Sequence, residues 1–98
     1  MPNIKIQTVV VGFLFDAHVW LEGEETKLSY DGDKTRKSTD VISVEDGELN
    51  IIFHGVGLAG TDWELTITEL EPDEKQLYDR KGTIQSTGHS LVIDSVKL

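Results

Sequence analysis

The chain has no cysteine. That excludes disulfide bridges, zinc-thiolate centres and cysteine nucleophiles, so stability has to come from packing alone. Proline is scarce, with two in 98 residues, and the longest apolar run is the seven residues from Val9 to Phe15, Gly12 included. A helix that spans a bilayer takes about 20 apolar residues, so no membrane span is expected. Lys5 is the one basic residue ahead of Lys27, and no Ala-x-Ala-like site follows the apolar run. The expectation is a chain without signal peptide or anchor, cytoplasmic by default.

Positive charge is also in short supply. Nine Lys and Arg stand against 18 Asp and Glu, a net charge of −9. Phosphate backbones repel such a surface, which argues against nucleic-acid partners. The same charge favours solubility. A sharper reading is a small acidic inhibitor or immunity protein that caps a basic protein partner. The remaining composition, 38% hydrophobic and 28% charged, fits one folded domain with one core over residues 1–98.

A persuasive helical period is missing as well. The one competing signal is a capping-box match, Thr61-x-x-Glu64, with Trp63, Ile67 and Leu70 at helical spacing. Leu65 falls off that stripe and Thr66-Ile67-Thr68 is β-branched, so a strand is expected there. Elsewhere, short alternating or β-branched segments are separated by turn signals every 8–12 residues or so. Strands are expected in 4–21, Lys27–Tyr30, Thr35–Ser38, Val41–Val44, Leu49–Phe53, Trp63–Leu70, Gln76–Tyr78, Thr83–Ser86 and Leu91–Val96. The turns between them include Asp31-Gly32-Asp33, Glu45-Asp46-Gly47-Glu48 read as a hairpin, Glu71-Pro72-Asp73-Glu74, and Asp79-Arg80-Lys81-Gly82. Lys34, Arg36 and Lys37 are read as charges that blunt an edge strand. The implied fold is all-β: a single-domain antiparallel β-sandwich, immunoglobulin-like or jelly-roll-like, of about eight strands, with a small β-barrel as second choice.

In 4–21 the apolar parity changes. Ile4 and Ile6 are even, whereas Val9, Val11, Phe13, Phe15, Ala17, Val19 and Leu21 are odd. A bulge or turn near Gln7-Thr8 is expected to absorb the slip, with Gly12 as a second candidate. If the odd residues fill the core, Asp16, His18 and Trp20 share the outward face of one strand. An exposed Trp beside His and Asp suits stacking on a sugar ring or anchoring a protein partner.

Gly55-Val56-Gly57-Leu58-Ala59-Gly60 formally matches G-x-G-x-x-G. A dinucleotide site needs a helix opening at the glycines to receive the pyrophosphate. A strand pattern follows instead, so the segment is read as a loop between strands. Its apolar Leu58 either plugs one end of the sandwich or forms an exposed tip.

His18, His54 and His89 lie on separate segments without a metal-binding spacing, and no metal or other cofactor is expected. Asp31-Gly32-Asp33 lacks the further acids of a calcium loop. Six serines sit in no G-x-S-x-G elbow. The functional expectation is a non-enzymatic binding or assembly module. It would recognise a protein or glycan through Asp16, His18 and Trp20 together with Gly57, Leu58 and Thr61. Self-association through a sheet edge or the Trp20 face is a further reading.

Overall fold

The computed structural model describes residues 3–44 and 47–98. Among the described residues nine strands follow one another: β1 (Asn3–Val11), β2 (Asp16–Leu21), β3 (Glu24–Glu25), β4 (Ser29–Tyr30), β5 (Thr35–Ser43), β6 (Glu48–Val56), β7 (Asp62–Glu71), β8 (Lys75–Thr83) and β9 (His89–Lys97). They build two antiparallel sheets, ordered β4-β5-β1-β7-β8 and β3-β2-β6-β9. This is the all-β sandwich that the alternation implies, and the segment after the glycine loop is a strand.

Successive side chains alternate between faces, so each strand puts every second residue between the sheets. Ile4, Ile6 and Val10 come from β1, and Ala17, Val19 and Leu21 from β2. Leu49, Ile51 and Phe53 come from β6, and Trp63, Leu65 and Ile67 from β7. Phe53 and Trp63 meet across the middle with ring centroids 4.5 Å apart. A large side chain buried this way contributes about 1.5–3 kcal/mol, so the core replaces the cross-links the sequence lacks.

The parity change falls elsewhere than Gln7-Thr8. Strand β1 keeps its even residues inward to Val10, and Thr8 is a core residue. The switch takes place at 12–15, where the chain crosses from one sheet to the other. A Cβ on Gly12 would stand 2.8 Å from the Asp62 carbonyl oxygen, so only glycine permits the crossing. Leu14 turns inward there. Phe13 and Phe15 are each 68% exposed, against the expectation that they fill the core.

Four further expectations change. Thr35–Ser43 is one continuous strand, and Arg36 points inward with 6% exposure instead of blunting an edge. Strand β8 runs through Asp79-Arg80-Lys81-Gly82, because its ladder with β7 continues there and Gly82 serves packing rather than a turn. Glu45 and Asp46, half of the expected hairpin turn, lie outside the described residues. Their flanking strands β5 and β6 belong to different sheets and do not pair as a hairpin. The strand expected at Thr83–Ser86 does not form, since β8 ends at Thr83 and residues 84–88 are a loop.

The loops 12–15, 31–34, 57–61 and 84–88 gather at one end of the sandwich. Backbone bonds tie them together. The N–H of Gly12 donates to Lys34, that of Phe15 to Val56, that of Gly57 to Gly88 and that of Ile84 to Thr61.

Candidate functional site

Strand β2 turns Ala17, Val19 and Leu21 into the core, so Asp16, His18 and Trp20 stand on the outer face of the four-stranded sheet. Pairing extends this face sideways. His18 lies opposite His54 and Trp20 opposite Ile52 on β6. Beyond them, His54 lies opposite Leu91, Ile52 opposite Ile93 and Val56 opposite His89 on β9. Three histidines from separate segments therefore meet on one surface. Ring centroids are 5.7 Å apart for Trp20–His18, 6.4 Å for His18–His54 and 5.2 Å for His54–His89. The last two rings are nearly coplanar in orientation, 6° apart, and His54 Nε2 lies 3.0 Å from His89 Nδ1.

That His54–His89 contact requires one ring to donate and the other to accept, so it exists only while at least one ring is neutral. His18 is held differently. Its Nδ1 is 2.5 Å from Glu25 Oε2 and its Nε2 is 3.0 Å from Asp16 Oδ2. Both ring nitrogens face carboxylates, and only the imidazolium has two N–H groups to donate. The Glu25 hydrogen bond, with Asp16 assisting, raises the His18 pKa above its ordinary value of 6.5. The His18 hydrogen bond in turn lowers that of Asp16. The Ala17 N–H donates to Asp16 Oδ1 and fixes its carboxylate. Glu25 reaches the site because a turn at Glu22 and Gly23, both with positive φ, folds β3 back along β2. That stretch reads in sequence as a polar loop.

Next to the imidazoles the face is apolar. Leu91 is 60% exposed and Ile93 72%. A shallow depression there is lined by Trp20, Gly23, Ile52, His54 and Leu91. The outer face of the five-stranded sheet differs, since its cross-strand neighbours include Gln7–Thr68, Glu64–Lys81 and Thr66–Asp79.

The loop residues are placed apart from this face. Gly57 is buried against Leu14, and Thr61 lines a groove on the other side with Phe13, Lys34 and Asp62. Leu58 is an exposed tip, 67% accessible, while Leu14 and Ile84 plug the end of the core. Strands flank the glycines on both sides, so no helix N-terminus receives a pyrophosphate.

Sequence reasoning missed His54, Ile52, Leu91 and Ile93. Their parity relative to Phe53 and Val92 marks them as outward-facing. Strand order, which makes β6 and β9 neighbours of β2, has no local signal. Among the described residues no group of three or more His, Asp or Glu is arranged to hold a metal ion, and no helix is long and apolar enough to cross a membrane. Compared with protein-family models, curated proteins and solved structures, the chain matches none.

Proposed function

We propose that this protein is a non-enzymatic binding module whose recognition surface is the outer face of the four-stranded sheet, and that its partner there is a protein surface. One observation carries the reading. The Trp20–Ile52–Ile93 row and the His18–His54–Leu91 row form a contiguous apolar and imidazole patch where an antiparallel sheet ordinarily meets water with polar side chains. Aromatic anchors flanked by aliphatic side chains, with histidines beside them, match the core of a protein interface. The aliphatic neighbours favour a protein over a glycan, because in the depression beside Trp20 the one polar side chain besides the indole is His54.

The test is a capture experiment with the purified domain as bait, run beside Trp20→Ala and Ile93→Lys, with Phe13→Ser at the loop end as control. A protein retained by the wild type and the control, and lost with both face variants, supports the reading. A protein retained by all four overturns it. The acidic-cap alternative rests on the net charge of −9. It predicts a basic partner that dissociates at high salt and ignores the face variants.

A further inference from the structure

The two sheets end on four strands, and three of these are protected, although β4 covers only Arg36 and Lys37 of β5. Strands β3 and β4 are two residues long. Strand β8 carries a register shift against β7 and the charges Lys75, Asp79, Arg80 and Lys81. Short, bulged or charged edges resist pairing with another chain. Strand β9 has one such protection along its middle, the charge of Asp94, whose carboxylate accepts from the Tyr78 hydroxyl and lies 3.7 Å from the Arg80 guanidinium of β8. It pairs with β6 over nine consecutive residues without a shift, contains no proline, and carries Asp94 and Lys97 as its only acidic or basic residues apart from His89 at its start.

The direction of its backbone groups follows from two bonds. The Leu98 N–H donates to the Gly47 carbonyl on the β6 side, whereas the His89 carbonyl accepts from Gln85. Direction alternates along a strand, so even residues bond to β6, and Leu91, Ile93 and Ser95 aim their N–H and C=O groups away from it, with the Ser95 N–H taken up by Asp94 Oδ1 at 2.8 Å. A row of this kind is completed by one kind of ligand, an extended strand.

We propose that the occupant is a second copy of this chain, paired antiparallel through β9. The sequence of β9 is self-complementary under a two-fold axis at Ile93. Ile93 then lies opposite its own counterpart, Leu91 opposite Ser95, Val92 opposite Asp94 and His89 opposite Lys97. No like charges face each other, although each chain is strongly acidic overall. The central pairs, those of Leu91, Ile93 and Ser95, exchange about four backbone hydrogen bonds with Asp94 in place, and about six once each Ser95 N–H turns from Asp94 Oδ1 to the incoming strand. The result is one eight-stranded sheet, β3-β2-β6-β9 joined to its mirror order. The two Trp20–Ile52–Ile93 rows become one apolar surface continuous across the axis. The inference concerns the strand edge and does not require the face to bind a foreign protein.

The test is the mass in solution by light scattering at about 100 µM, a concentration at which mass action favours weak dimers. Wild type is expected at twice the 10.9 kDa of the single chain. Ser95→Pro removes one outward N–H, together with its bond to Asp94 Oδ1, and blocks an incoming strand while leaving every backbone bond to β6 in place. Ile93→Lys places two charges on the axis. Both variants are expected at single-chain mass with an unchanged circular dichroism spectrum. A single-chain mass for wild type overturns the proposal. So does a wild-type dimer that persists in a folded Ser95→Pro variant, since that dimer uses another surface. Capture of a foreign protein through Trp20 is scored separately.

Discussion

The indole of Trp63 lies over Gly82, its pairing partner on the neighbouring strand β8. A Cβ at position 82 would stand 2.4 Å from Cζ2 and 2.7 Å from Cε2 of the ring. The ring has little room to retreat, because Trp63 is buried and packs on Phe53. Gly82→Ala is therefore expected to lower stability by about 1–3 kcal/mol, the ordinary cost of overpacking a core. Lys81→Ala, next to it on the outer face, is expected within about 0.5 kcal/mol of wild type. Urea denaturation of the two variants checks this, and equal midpoints would show that the ring finds another seat.

The His18 cluster makes stability depend on pH. Folding raises the His18 pKa through Glu25 and then Asp16. Its contribution is thus fully present below the unfolded value of 6.5 and is lost as pH rises through the folded value. Asp16 has the opposite sign: its folded pKa is lowered, so its contribution is present above 3.8 and is lost as pH falls through the lowered value. The cluster contributes most between these limits. Its members are more than a third exposed, so screening holds the effect to roughly 0.2–1 kcal/mol. Melting temperature measured from pH 5 to 9 is expected to fall across the upper part of that range in wild type. In His18→Gln that fall is expected to be smaller, and parallel curves would remove His18 as its source.

The period of two was legible along most of the chain, and with it the sandwich and the outward direction of Asp16, His18 and Trp20. What failed were residues whose local chemistry imitates something else. Asp79-Arg80-Lys81-Gly82 has the composition of a turn, yet its glycine answers to an indole on the next strand. Phe13 and Phe15 continue the parity of Ala17 and Val19, but the crossover at Gly12 removes them from any strand. The site was half visible for a related reason. Parity is a local property of the backbone, whereas the meeting of His18, His54 and His89 depends on the order β2-β6-β9. That order is fixed by packing between residues far apart in the chain.

Arg36 shows what the five-stranded sheet tolerates at its margin. Its guanidinium is buried, with Nη2 donating to the Leu14 carbonyl at 3.0 Å and to the Tyr30 hydroxyl at 2.5 Å. It stacks on the Tyr30 ring at 4.5 Å, while Nη1 is buried without a protein partner. The methylene stem also fills space between the sheets, so two contributions have to be separated. Arg36→Met keeps most of the volume and removes the unpaired donor, at the loss of two hydrogen bonds. The Tyr30 hydroxyl belongs to an exposed residue and regains water, so the Leu14 carbonyl bears most of that loss. Replacing a buried charge by an apolar side chain of similar size is often close to neutral. Arg36→Met is therefore expected within about 1 kcal/mol of wild type, the size of one net hydrogen bond. Arg36→Ala also empties the space of the stem and is expected to cost about 2 kcal/mol more, the lower range for emptying a long core side chain. Equilibrium unfolding of the pair decides between packing and charge. If Met is as damaging as Ala, the guanidinium and its bonds hold this margin of the sandwich rather than the volume of the side chain.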